Sequence, residues 1–178
     1  MNLAERVKQT EFLGREFLTW LWFRSESGEG VFDLGEIGAV ELWFEGKMTL
    51  EADGEERGDK VTCTGGTRLR EARFALTKDK KVTQAAVRLI KGDDEWTFSL
   101  DAPWLNVSGL KTPKVMQDAK EDPDGLFYER MFLIEQPIAV VNALFAAFIR
   151  LRVSQEWEQE ELPALSEWIR QGAWKGPV

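Results

Sequence analysis

The sequence VELWFEGKMTL at positions 40–50 decides the fold class of this chain. Positions 40, 42 and 44 are apolar and alternate with positions 41, 43 and 45, and a second alternation begins at Met48. A period of two residues predicts β-strands that bury one face and expose the other. The Glu45-Gly46 step predicts a tight hairpin turn that joins two such strands.

Further strand signals follow this stretch. Residues 59–64 predict a third strand, and residues 82–90 and 95–100 predict a hairpin around the polar turn Gly92-Asp93-Asp94. The apolar spacing of residues 69–76 fits neither period well, and we favour a short helix there. Because short strands linked by turns need no long crossover, we expect an antiparallel sheet of about five strands.

Helical patterns lie on both sides of these strands. Residues 11–24 place bulky apolar side chains on a helical repeat, and residues 126–151 do the same over a longer stretch. Pro137 is expected to kink or interrupt the second helix, because proline lacks a backbone donor. Ser154 is expected to cap a last helix that ends near Arg170.

The connection between the two halves is rich in turn formers. Residues 102–124 contain Pro103, Pro113 and Pro123, which predicts a long surface connection without a regular element. The sequence therefore predicts one α+β domain over residues 1–178. It comprises an N-terminal helix, a strand-rich part at about 30–101 and a helical segment at about 124–171.

The composition excludes much familiar catalytic machinery. The chain has no histidine and only one cysteine, Cys63, so histidine bases, nucleophile–histidine pairs and histidine or paired-thiolate metal sites are unavailable. Cys63 is expected to be a small buried residue in a strand. We expect no catalytic residue, no cofactor and no metal site.

The same features bear on location. The N-terminal segment lacks the apolar run of a secretory signal, and no stretch reaches the ~18 uninterrupted apolar residues of a membrane span. A lone cysteine suits a reducing compartment. We therefore expect a cytoplasmic protein without a membrane partner.

Charge is distributed unevenly along the chain. The formal net charge is -8, yet one short segment is strongly basic. This segment, which we call the basic window, contains Arg68, Arg70, Arg73, Lys78, Lys80, Lys81, Arg88 and Lys91. If these side chains share a face, they could bind DNA phosphates without sequence preference. The alternative is a solvated face that balances the acidic segment at 26–59.

A metal-dependent nuclease is a weaker alternative. Asp33 followed by Glu45-Gly46-Lys47 loosely matches the acid and Glu-x-Lys pattern of nucleases that hold magnesium with two carboxylates. However, Glu45 and Lys47 flank a predicted turn, whereas such a site requires them along a central strand.

Two stretches of the chain carry a family resemblance. The segment EFLGREFLTWLWFRSE at 11–26, and the segment from Phe132 to Phe148 with Trp157 and Trp168, resemble the recombination-associated RdgC family of bacterial and phage proteins. Members of that family are larger, form ring-shaped dimers around duplex DNA and have no active site. The resemblance implies a role in DNA recombination or phage replication, but it carries over no DNA-contacting residue.

These observations leave two leading functions and one lesser one. The first is a non-catalytic DNA-associated factor that binds DNA weakly and acts beside recombination or replication proteins. The second is an acidic protein-binding adaptor or inhibitor, and the nuclease is the third. We also expect a homodimer, because the two long helices carry more apolar surface than one sheet can cover.

Overall fold

The computed structural model describes residues 3–52, 59–64, 69–116 and 122–172, and only the backbone of residues 3–11, 69 and 70. Within these ranges two groups of three strands are separated by a short helix and flanked by longer helical segments. In order they are α1 (Leu3–Ser27), β1 (Val31–Asp33), β2 (Ala39–Ala52), β3 (Lys60–Thr64), α2 (Leu69–Leu76), β4 (Lys80–Lys91), β5 (Asp94–Asp101), β6 (Asn106–Lys111), α3 (Pro123–Arg152), a π-helical turn (Trp157–Glu161) and α4 (Leu162–Gln171).

The strands form one antiparallel sheet of six strands in the order β1-β2-β4-β5-β6. β3 also pairs with β2, so β1 and β3 occupy the two ends of the same edge of β2. The predicted α+β class is thus confirmed, as are the short helix α2 and the β4–β5 hairpin.

The predicted hairpin turn at Glu45-Gly46 is wrong, because β2 is a single strand of 14 residues. Gly46 has a φ of 75°, and the pairing with β4 shifts between Phe44 and Met48. Gly46 therefore lies in a β-bulge, where glycine tolerates a positive φ. The partner strand β4 has 12 residues, so β2 can pair along its length without folding back on itself.

The connection between the two halves also differs from the prediction. β6 lies within residues 102–124 and pairs with β5 at the edge of the sheet. Its partly buried Val107 and Leu110 pack against the core, while Pro103 and Pro113 lie just outside the strand. The prolines bound this strand instead of excluding it.

Of the predicted kink or interruption at Pro137, the interruption does not occur, because α3 runs through this residue without a break. Proline cannot donate to the carbonyl four residues earlier, which belongs to Leu133. The indole Nε1 of Trp96 donates to that carbonyl instead, at 2.8 Å. A side chain of the sheet thus satisfies the acceptor that proline leaves free.

Helical structure resumes directly after Ser154, continues through the π-helical turn into α4 and ends at Gln171, close to the predicted bounds. The Ser154 hydroxyl does not accept from the helix. It donates to the carbonyl of Leu151 at 2.7 Å.

α1 joins the sheet to the C-terminal helices. Its Phe17 and Trp22 are fully buried. The ring of Phe17 lies 5.6 Å from that of Phe148 on α3, and Trp22 meets Trp168 of α4 edge-on at 5.0 Å. One continuous hydrophobic core therefore extends from β2, β4 and β5 through α1 to α3 and α4.

Candidate functional site

The N-terminal half of α3 exposes a group of large apolar side chains. We call this surface the α3 face. Its members are between 41% and 70% exposed and comprise Phe127, Tyr128, Met131, Phe132, Ile134 and Ile138. Positions three and four residues apart lie on the same side of a helix, so these side chains form one contiguous patch over about three turns.

α3 exposes this patch because its apolar residues surround most of the helix. The opposite side packs into the core with Leu133, Pro137, Val140 and Val141 among its buried residues. One sheet can cover only one side of a helix. Within the described parts of the chain, no other element covers the α3 face.

A groove of about 500 Å³ runs beside the α3 face. Leu110, Val115, Arg130 and Ile134 are among the residues that line it. The backbone N–H of Met116 donates to the carboxylate of Glu129 at 2.7 Å, which ties the segment after β6 to α3. The groove therefore has one wall from α3 and one from the connection that precedes it.

The first half of α3 has more acidic than basic side chains. Asp124 and Glu135 are exposed and Glu129 is half-buried, whereas Arg130 is the single basic residue of α3 before Arg150. Glu135 lies within the patch itself, three residues from both Phe132 and Ile138. The face thus combines exposed aromatic and aliphatic groups with negative charge.

α3 also has the length and composition of a membrane span. Among the described helices, it alone passes that test, with a mean hydropathy of 1.8 over its most apolar window. A third of that window is buried inside the protein. Core helices of soluble proteins can have the same length and composition.

The basic window is divided among several places. Arg68 lies outside the described residues, and Arg70 is described only as part of the backbone of α2. The other six side chains occupy four separate locations. Lys78, Lys80 and Lys81 come together at one cleft, while Arg73, Arg88 and Lys91 each lie elsewhere.

The scattered members have protein partners. Arg73 donates to the carbonyl of Trp168 at 2.5 Å and lies 3.6 Å from a carboxylate oxygen of Glu26. Arg88 pairs with Glu45 at 2.9 Å on the sheet face away from the helices. Lys91 donates to the side-chain oxygen of Gln136 at 2.8 Å. These contacts connect elements of the fold to one another.

The residues of the nuclease alternative lie apart. Asp33 pairs with Ala39 across β1 and β2, and Glu45 lies six residues farther along β2. At ~3.3 Å per residue this separation is about 20 Å, too far for two carboxylates to share one ion. In the described parts of the chain, no three acidic, histidine or cysteine side chains are grouped as metal ligands. Cys63 is buried in β3, as predicted.

Sequence reasoning found part of this site. It anticipated surplus apolar surface on α1 and α3. On α1, residues 17, 18 and 20–23 are buried in the core, whereas Phe12 is 45% exposed. The cleft at the three lysines was not predicted at all. Its apolar wall comes from residues after position 156, whose sequence shows only a helical pattern.

No protein-family model matches this chain, and no curated protein matches it either.

Proposed function

We propose that this protein is a non-catalytic interaction module that binds a basic amphipathic helix of a partner protein through the α3 face. The observation that carries the proposal is the exposure of six large apolar side chains on one side of α3. Contiguous apolar patches of this kind on a folded protein mark interaction sites. Aromatic residues and methionine are also the types that interfaces favour.

The groove and the charge suggest the nature of the partner. An amphipathic helix binds by placing its apolar side chains in a groove, and the groove beside Ile134 offers such a place. Glu135 and Asp124 would attract lysine and arginine on the flanks of that helix. The RdgC resemblance is consistent with a recombination or replication protein, since proteins that bind DNA are commonly basic.

A second copy of the chain suits this surface less well. A two-fold contact brings the same patch against itself. Glu135 would then approach the same residue of the other copy, and both chains carry a formal net charge of -8. Like charges that meet in an interface weaken it.

Model peptides test the proposal directly. We expect an amphipathic Leu/Lys helical peptide of about 18 residues to bind with a Kd below about 10 μM in isothermal titration calorimetry. Phe132→Lys should weaken binding by at least about 30-fold, because it removes an aromatic contact and adds a repelled charge. A Leu/Glu peptide with the same pattern should bind at least about tenfold more weakly.

The matched control is Val153→Lys. Val153 is 81% exposed and lies about 30 Å along the helix from Phe132, so this variant has the same change in charge away from the face. Equal loss in both variants would contradict the proposal. If light scattering shows that the wild type is a dimer and that Phe132→Lys is a monomer, the α3 face binds a second copy of the chain instead.

Weak DNA binding is a second candidate, favoured by the meeting of Lys78, Lys80 and Lys81 at one cleft. We expect sequence-tolerant binding at ~50 mM salt that fades as salt rises, because each neutralised phosphate adds about 0.7–0.9 to the log–log salt slope. The double variant Lys78→Glu, Lys81→Glu should abolish it in fluorescence anisotropy. A substitution of Arg73 is unsuitable for this test, because Arg73 donates to the carbonyl of Trp168 on α4 and its loss would affect stability. If wild type and variant give the same anisotropy curve, the cleft is not a DNA site.

A further inference from the structure

The groove beside the α3 face has a basic residue at the edge that it shares with that face. Arg130 lines the groove and lies three residues after Phe127 and four before Ile134. Residues at this spacing lie on the same side of a helix, so Arg130 borders the α3 face directly. Glu135, by contrast, lies within the face. The groove edge is therefore positive where the face itself is negative.

Arg130 has no acidic neighbour on its own helix. A helical side chain reaches the residues three and four positions away, and at Arg130 these are Leu126, Phe127, Leu133 and Ile134. All four are apolar, and Arg130 itself is exposed. α3 therefore supplies no carboxylate that pairs with this guanidinium.

The opposite wall of the groove supplies none either. Its lining residues are Leu110, Thr112, Pro113 and Val115, and none of them is charged. Within the described parts of the chain, Arg130 forms no ion pair. Its positive charge is thus available to a binding partner.

Further basic residues belong to the segments that form the groove. Lys111 and Lys114 are exposed and lie on either side of the groove-lining residues 112 and 113. Glu129, the sequence neighbour of Arg130, accepts a hydrogen bond from the backbone N–H of Met116 at 2.7 Å. This edge of the protein therefore offers positive charge, although the chain as a whole carries a formal net charge of -8.

The interior of the groove is apolar. Leu110 and Val115 are partly buried and pack against the core, so they form a fixed floor. Ile134 is 43% exposed and forms the wall shared with the α3 face. The volume of about 500 Å³ admits a large aromatic side chain, since pockets of about 300–1,000 Å³ hold whole drug-sized ligands. The groove thus suits an apolar group with an anionic group next to it.

We propose that the partner helix places one large apolar side chain in this groove and an acidic residue beside it that pairs with Arg130. This inference rests on the proposed function, because it specifies the helix that the α3 face binds. That helix is basic where it meets Glu135 and acidic where it meets Arg130. Arginine binds a carboxylate through two parallel hydrogen bonds, which fix its position as well as adding affinity. Arg130 thereby determines which helix binds and in which register.

Model peptides with one acidic residue at successive positions test the inference. The parent is the Leu/Lys peptide of about 18 residues with one leucine replaced by tryptophan, which serves as the apolar anchor. Each further peptide has a single lysine replaced by glutamate. Most of these replacements should weaken binding to an acidic protein. A glutamate three or four residues from the tryptophan, on the side that meets Arg130, should instead strengthen binding at least about threefold in isothermal titration calorimetry.

Arg130→Glu should reverse this preference. The peptide with the favoured glutamate should bind the variant at least about tenfold more weakly than it binds the wild type, because close charges across an interface are strongly coupled. The parent peptide should bind the variant at least as tightly as the wild type. The matched control is Arg150→Glu, which makes the same change in charge at an exposed position about 30 Å farther along α3. It should change both peptide affinities by the same factor.

The results separate this inference from the proposed function. If no peptide binds up to about 1 mM, or if Phe132→Lys changes no affinity, the α3 face is not the binding surface and both proposals are wrong. If the peptides bind and Phe132→Lys weakens them, two results overturn this inference alone. One is that no glutamate position gains affinity, and the other is that Arg130→Glu has the same effect as Arg150→Glu.

Discussion

Phe148→Ala is expected to lower the free energy of unfolding by about 3–5 kcal/mol, the largest effect of any single change considered for this protein. Phe148 on α3 is fully buried. Its ring centre lies 5.6 Å from that of Phe17, 5.3 Å from that of Trp20 and 5.7 Å from that of Trp157. Removal of the ring leaves a cavity between α1, α3 and the π-helical turn that rigid aromatic neighbours cannot fill.

The measurement is chemical denaturation monitored by tryptophan fluorescence. The slope of unfolding free energy against denaturant concentration is fitted separately for wild type and variant. A domain is stable by about 5–15 kcal/mol in total, so the variant should unfold at a clearly lower denaturant concentration. Phe132→Ala is the matched control, because Phe132 lies on the same helix but is 55% exposed. It should change stability by no more than about 0.5 kcal/mol. Similar losses in the two variants would show that α3 is not packed as described.

Gly14→Ala is expected to destabilise the protein by about 1–3 kcal/mol or more. In an unobstructed helix this substitution would stabilise by about 1 kcal/mol, because alanine has the higher helix propensity. Gly14 on α1, however, lies directly against the backbone of Ala102, and an added Cβ would overlap the Ala102 carbonyl oxygen. The backbone N–H of Ala102 donates to Thr83 at 2.8 Å, so this segment cannot easily move away.

The decisive result for Gly14→Ala is whether it raises or lowers the stability of the protein. Ala146→Gly, at an exposed position of α3, measures the propensity cost of glycine in a helix of this protein and should be close to 1 kcal/mol. Gly14→Ala should lower the denaturation midpoint even though the propensity term has the opposite sign. A higher midpoint for Gly14→Ala would mean that α1 and the β5–β6 connection are not in close contact.

Substitutions in α1 and on the α3 face are expected to act in different ways. Residues 17–23 of α1 are buried and carry the fold. Phe132 of the α3 face is 55% exposed. Substitutions in this part of α1 are therefore expected to act through stability, whereas those at Phe132 are expected to act through binding.

The sequence by itself determined the fold class and most of the elements. Alternation in β2, β4 and β5 predicts strands with one buried face, and the helical spacing in α1 and α3 predicts helices with wide apolar surfaces. These patterns are local, since they depend on a period of 2 or 3.6 residues and not on which element packs against which.

Tertiary structure decided what each pattern becomes. Gly46 lies in a bulge and not in a turn because β4 pairs with β2 on both sides of it, from Glu41 to Ala52. Pro137 is tolerated because the indole of Trp96 donates to the carbonyl of Leu133. Closeness in sequence also failed to place the basic window on one face. Lys80 is buried and pairs with the exposed Asp59, while Arg88 lies on the outer side of the sheet. The two residues are eight positions apart on β4, and a register irregularity between Val82 and Gln84 reverses the side on which even-numbered residues lie. The exposure of the α3 face was also decided by tertiary structure, because the packing of the whole chain determines which apolar surface is covered.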